Sequence, residues 1–76
     1  MPHVIVKLYS GRSEQQKATL AEQVTKAVMS GAQCAEAAVS VSIEDVEPDD
    51  WTEKVYNPDI IGKPGTLYKK PGYDPL

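Results

Sequence analysis

The 76-residue chain predicts an α+β subunit. It has one βαβ unit, then a short C-terminal helix and an extended tail, and its small sheet is completed by association with other copies. Three observations predict this. An alternating, β-branched segment opens the chain, a capped amphipathic helix follows, and a second alternating segment comes after it. No repeat or linker divides the sequence, so it reads as a single domain over 1–76, with Met1 expected to be removed.

The elements follow in order. In residues 2–9, Val4, Val6 and Leu8 point one way and His3, Ile5, Lys7 and Tyr9 the other, a strand with at least one buried face. Ser10, Gly11 and Arg12 form a turn. Ser13 then reads as a helix N-cap, Gln16 three residues on completes a capping box, and Glu14 suits the positive helix end. The helix is predicted to run to about Ser30 and stop at Gly31. Its apolar stripe is Leu20, Val24, Ala27, Val28 and Gly31. Lys17 falls on that stripe, its stem lying along apolar surface and its head reaching water.

A loop through Cys34 leads to a second strand over 38–46, with Val39, Val41 and Ile43 on one side and Ser40, Ser42 and Glu44 on the other. Strand, helix, strand with these lengths predicts a parallel pair and a right-handed crossover. Pro48 then opens a short turn or helix carrying Trp51 and Tyr56. From Asn57 onward Pro58, Gly62, Pro64, Gly65, Pro71, Gly72 and Pro75 predict an extended or looped tail, with one helical turn around 66–69. A sheet of two strands leaves both edges open, and such edges are commonly covered by another copy of the chain.

Composition excludes several classes of function. Apolar residues at 41% with 25% charged residues fit a packed globular chain, not a disordered one. The net charge of −3 argues against a nucleic-acid groove or an anionic membrane surface. One cysteine, Cys34, cannot form an internal disulfide, and one cysteine with one histidine cannot build a metal cluster. No apolar run approaches the roughly 20 residues of a membrane helix, and no signal peptide is visible, so the cytoplasm is the expected compartment.

Pro2 is the first residue with chemistry to offer. Removal of Met1 would leave a secondary amine at the head of a strand, and an N-terminal amine titrates near 8. An apolar pocket and neighbouring cations would both lower that value toward neutrality, where the amine serves as a base. A proline in second position is also common, and alone it indicates only methionine processing. Reach adds a constraint. Seven residues of strand separate Pro2 from Tyr9, roughly 23 Å at about 3.3 Å per residue. Arg12 and, at the far end of a parallel second strand, Trp51 therefore cannot easily touch Pro2 of their own chain.

Pro2 with its strand, the turn at Gly11, Arg12 and Ser13, the run Glu14-Gln15-Gln16-Lys17 and the aromatic Trp51 together resemble 4-oxalocrotonate tautomerase and its relatives. The resemblance covers roughly 2–51, and the tail through Leu67, Tyr68, Lys69, Lys70, Pro71, Gly72 and Tyr73 is similar to a longer branch with dimeric members. It implies a tautomerase-like isomerase that needs no cofactor or metal and acts on small 2-oxo acids. Pro2 would be the general base, Arg12 would bind the substrate carboxylate, and Trp51 would be an apolar wall. A second family arginine falls at Ser40, which makes a dicarboxylate substrate doubtful. Tyr9 stands where a leucine is often found and offers a phenol to an enolate. The resemblance implies a homo-oligomer, with a dimer favoured and a hexamer as the alternative.

Other readings stand beside this one. A hydratase or dehalogenase would use a cationic Pro2 as an acid, with Glu53 or Asp50 activating water. A non-catalytic binding module would keep the pocket only as a ligand or partner surface. Arg12 also reads as a solvated turn residue, Trp51 as a core or interface anchor, and His3 as an interface residue near the amine.

Overall fold

The structure, a computed structural model, describes residues 1–74. Pro75, counted above with the tail, lies outside the described residues. Strand β1 spans His3–Tyr9, helix α1 spans Glu14–Ala32 and strand β2 spans Ser40–Val46. The two strands pair in parallel from His3 opposite Ser40 to Tyr9 opposite Val46, as the strand–helix–strand order predicts. Register puts Val4, Val6 and Leu8 on one face with Val41, Ile43 and Asp45. Helix α1 covers that face, because Lys17 reaches across it to Asp45 at 3.0 Å. His3, Ile5, Lys7 and Tyr9 lie on the opposite face.

Helix α1 starts as its sequence dictates. Ser13 caps it, accepting from the Gln16 N–H at 3.1 Å, while the Gln16 side chain accepts from the Ser13 N–H at 2.8 Å. The end differs from expectation. Gly31 does not stop the helix. It runs to Ala32, and Gln33 takes the left-handed conformation at φ 54°. The covered stripe also differs from expectation at its edges: Ala27 and Gly31 are exposed, Ala21 and Thr25 take their place, and Lys17, Leu20, Val24 and Val28 are half-buried as expected. Lys17 does not end in open water. Its ammonium bridges Glu14 and Asp45, which raises its pKa mainly through the Asp45 hydrogen bond and then that of Glu14.

Two further corrections concern the second half. The second strand begins at Ser40 and not at Ala38, because a 3₁₀ turn over Glu36–Ala38 takes that residue and Ala38 and Val39 donate back to Ala35 and Glu36. After a second 3₁₀ turn, Pro48–Asp50, the chain winds into a π-helix over Thr52–Ile61, straight through Pro58. Proline in an α-helix removes one hydrogen bond and crowds the preceding turn, and the wider π turn is the form in which this chain carries it. Gly62 ends it where the backbone closes in: a Cβ there would lie 2.6 Å from the Asn57 carbonyl oxygen. Beyond Gly62 the tail is irregular, as expected, but the helical turn placed at 66–69 is instead a turn over 64–66.

The core is thin. Val55 of the π-helix is the one residue classed as buried among the described residues, while Ile5, Tyr9 and Ile61 each stay about half exposed. Lys7 holds the π-helix to the outer face of β1 through an ion pair with Asp59. No helix among the described residues is long and apolar enough to cross a membrane.

Candidate active site

The topology sorts the five candidate residues into two groups at opposite ends of the sheet. At the C-terminal end of β1, Tyr9 leads into the turn, where Gly11 takes φ 121°, a conformation that side chains resist. That turn folds Arg12 back, so its Nη1 donates to the Tyr9 carbonyl at 3.1 Å. Trp51 arrives from the other strand at the start of the π-helix. Its ring meets Tyr9 edge to face, with centroids 5.2 Å apart and planes at 85°.

These three residues line one cleft of about 400 Å³ with Lys7, Leu8 and Tyr73. Its lining combines two cations, Arg12 and Lys7, with three aromatic rings and Leu8. No carboxylate pairs with Arg12 among the described residues. Lys7 is committed elsewhere, since its pKa is raised chiefly by its hydrogen bond to Asp59, whose own pKa is lowered by the same bond. The cleft therefore suits a small carboxylate with a flat apolar substituent.

Pro2 and Ser40 sit at the other end. Pro2 is half-buried, and its carbonyl accepts from the Ser40 N–H at 3.2 Å. The Ser40 hydroxyl lies 2.7 Å from His3 Nδ1, so the position at which the resemblance places a second arginine holds a hydrogen-bonded serine–histidine pair. With seven residues of β1 between the groups, no single chain brings Pro2 to Arg12. Among the described residues, no group of three or more His, Cys, Asp or Glu is placed to hold a metal ion.

Sequence reasoning gave no role to Tyr73. It returns from the irregular tail and accepts a hydrogen bond from Trp51 Nε1 at 2.8 Å. The only signal was an aromatic residue in a Pro- and Gly-rich segment, and no periodicity tells where such a segment docks.

Comparison with known proteins agrees with this architecture. The family model described as tautomerase enzyme matches residues 2–54. A probable tautomerase of Xylella fastidiosa (strain 9a5c) is 43% identical over 76 residues, covering 100% of this chain and 93% of that protein. Tautomerase PptA of Cronobacter sakazakii is 35% identical, covering 97% of this chain and 99% of that one. Among solved structures, one of the 4-oxalocrotonate tautomerase isozymes from Methylibium petroleiphilum superposes with a TM-score of 0.63 at 36% identity, over 66% of this chain and 81% of the other. TomN, a 4-oxalocrotonate tautomerase homologue in the tomaymycin biosynthetic pathway, gives a TM-score of 0.63 and 36% identity over 66% and 77%. On its βαβ architecture and on these matches, the chain belongs to the tautomerase family.

Proposed function

We propose that the chain is an enol–keto tautomerase that uses the Pro2 amine as its general base and acts on small 2-oxo or 2-hydroxy-enol acids. One observation carries this reading: Arg12, Tyr9 and Trp51 line a single cleft at the end of the sheet remote from Pro2. A working site then needs two copies of the chain, with the Pro2 of one entering the Arg12 cleft of the other. The open sheet edges, the half-exposed Ile5, Tyr9 and Ile61 and the thin core support self-association, with a dimer favoured.

In the reaction, Arg12 of one copy holds the carboxylate. The Pro2 nitrogen of the other takes the 2-hydroxyl proton, the C–O bond becomes C=O, and the C2=C3 π pair moves to C3. The protonated amine then returns its proton to C3, so no atom is gained or lost and no cofactor is called for. Trp51 and Tyr9 exclude water, and the Tyr9 phenol can donate to the developing enolate. Ser40 in place of an arginine favours monocarboxylates.

The test is ketonisation of the enol of phenylpyruvate, followed by the loss of enol absorbance, with protein whose Met1 is removed. Catalysis well above the buffer rate is expected. A rate equal to buffer would leave the fold as a binding module.

A further inference from the structure

The tail builds a second apolar groove of about 370 Å³ beside the Arg12 cleft, between the π-helix and residues 64–73. Tyr56, Ile60, Leu67 and Pro71 are among its lining residues, and Tyr73 is the one residue that it shares with the Arg12 cleft. The Tyr73 ring, about half exposed, is tied at two points. Its hydroxyl accepts from Trp51 Nε1 at 2.8 Å, and its ring tilts against Tyr56 at 5.8 Å and 44°. Tyr9, Trp51, Tyr73 and Tyr56 thus form a continuous row of rings from β1 to the π-helix.

We propose that Tyr73 is a specificity-determining residue: its ring is the partition that limits the substituent of an acid held in the Arg12 cleft. The inference rests on the reading of that cleft as the carboxylate site. With the carboxylate on Arg12, the substituent lies among Tyr9, Trp51 and Tyr73. Removing the Tyr73 ring would join the cleft to the groove and roughly double the space open to the substituent. Tyr73 lies beyond the family match over 2–54, so the partition belongs to the tail and not to the shared βαβ unit.

The experiment uses the full chain with Met1 removed, in wild-type, Tyr73→Ala, Tyr73→Phe and Tyr73→Trp forms. Turnover of the enols of phenylpyruvate and 3-(2-naphthyl)pyruvate is compared. Wild type favours the phenyl acid. Tyr73→Ala moves the ratio of kcat/KM toward the naphthyl acid by about tenfold or more, mainly through KM, because a second ring gains buried apolar area. Tyr73→Trp moves the ratio the other way. Tyr73→Phe keeps the partition and shifts the ratio less than about fivefold, the worth of one hydrogen bond. It also moves the emission of Trp51, the chain's one tryptophan, to shorter wavelength as its acceptor is lost.

Titration of Trp51 fluorescence with the unreactive cinnamate and 3-(2-naphthyl)acrylate reads the same selectivity without turnover. Absent turnover with selective binding would sink the tautomerase reading and uphold the partition. A phenyl-to-naphthyl ratio equal in wild type, Tyr73→Ala and Tyr73→Trp, or no binding of either acid, would overturn the partition.

Discussion

Pro2 and Arg12 stand at opposite ends of one strand, with the seven residues of β1 between them. A proton-transfer site that uses both must borrow one of them from another copy. Chains carrying Arg12→Ala retain Pro2, and chains carrying Pro2→Leu, which keep Met1 and so lack a free proline amine, retain Arg12. Each should be strongly impaired alone. Loss of Arg12 should reduce kcat/KM about 30- to 1000-fold, the worth of a charge-assisted carboxylate contact. Mixing the two after subunit exchange should restore activity, because a mixed dimer holds one site with both good residues. No recovery despite demonstrated exchange would place Arg12 outside the site.

The pH profile should identify the base. The proposed mechanism requires a neutral Pro2 amine, so kcat/KM should fall as pH drops through its titration. In the proposed shared site, burial and the Arg12 of another copy would both disfavour the charged form, which puts the expected limb below the usual amine value near 8. Kinetics between pH 5 and 9 check this. A limb that keeps its position and steepness in Pro2→Ala would belong to another group, His3 being the nearest candidate.

The parts of this fold that were legible in the sequence are those governed by local rules. Alternation in β1 and β2, the Ser13 capping box and the length of the crossover each state their own structure, and the parallel register follows from them. The separation of Pro2 from Arg12 was legible for the same reason, being a matter of strand length. The misreadings arose where competing signals were local but weak. Gly31 offered a helix stop that the chain passes by two residues, and Pro58 promised a break that a π-helix absorbs. Tyr73 was illegible because its place depends on how the eleven residues between it and Ile61 fold back, and only the partners Trp51 and Tyr56 decide that.

Gly62 offers a test of the π-helix end. An added Cβ would meet two backbone carbonyl oxygens, at 2.6 Å from Asn57 and 2.9 Å from Pro58, and backbone cannot swing aside as a side chain would. Gly62→Ala should therefore destabilise by about 1–3 kcal/mol, the usual cost of overpacking. Gly65→Ala, where nothing lies within 4 Å of the added atom, should change little. Denaturant unfolding of both variants at equal concentration checks the contrast.

The Lys7–Asp59 ion pair predicts an acid-sensitive attachment of the π-helix to β1. The Asp59 pKa is lowered from 3.8, chiefly by the hydrogen bond from Lys7. A lowered carboxylate contributes stability above its unfolded value, and that contribution is lost as pH falls from about there through the folded value. Asp59→Asn should be less stable than wild type at pH 7, and the difference should close below pH 3.8. Thermal melts of both proteins at pH 7, 5 and 3 measure it. A gap that persists unchanged at pH 3 would assign the effect to packing and not to charge.

The pair at the other end of the sheet predicts the substrate's second charge. Ser40 stands where the family resemblance places a second arginine, and its hydroxyl is spent on His3 Nδ1 at 2.7 Å. A neutral serine so engaged offers a distal carboxylate no counter-charge, so dicarboxylate enols should be turned over poorly beside monocarboxylates. Ser40→Arg should raise kcat/KM for a dicarboxylate such as 4-oxalocrotonate by about tenfold or more relative to phenylpyruvate. The gain should shrink as ionic strength rises, since an exposed charge pair is screened over about 10 Å at 0.1 M salt. Ser40→Ala separates charge from the lost hydrogen bond: it frees His3 without adding a cation and should leave the substrate ratio where it was. Equal ratios in wild type and Ser40→Arg would show that the start of β2 does not face the bound acid.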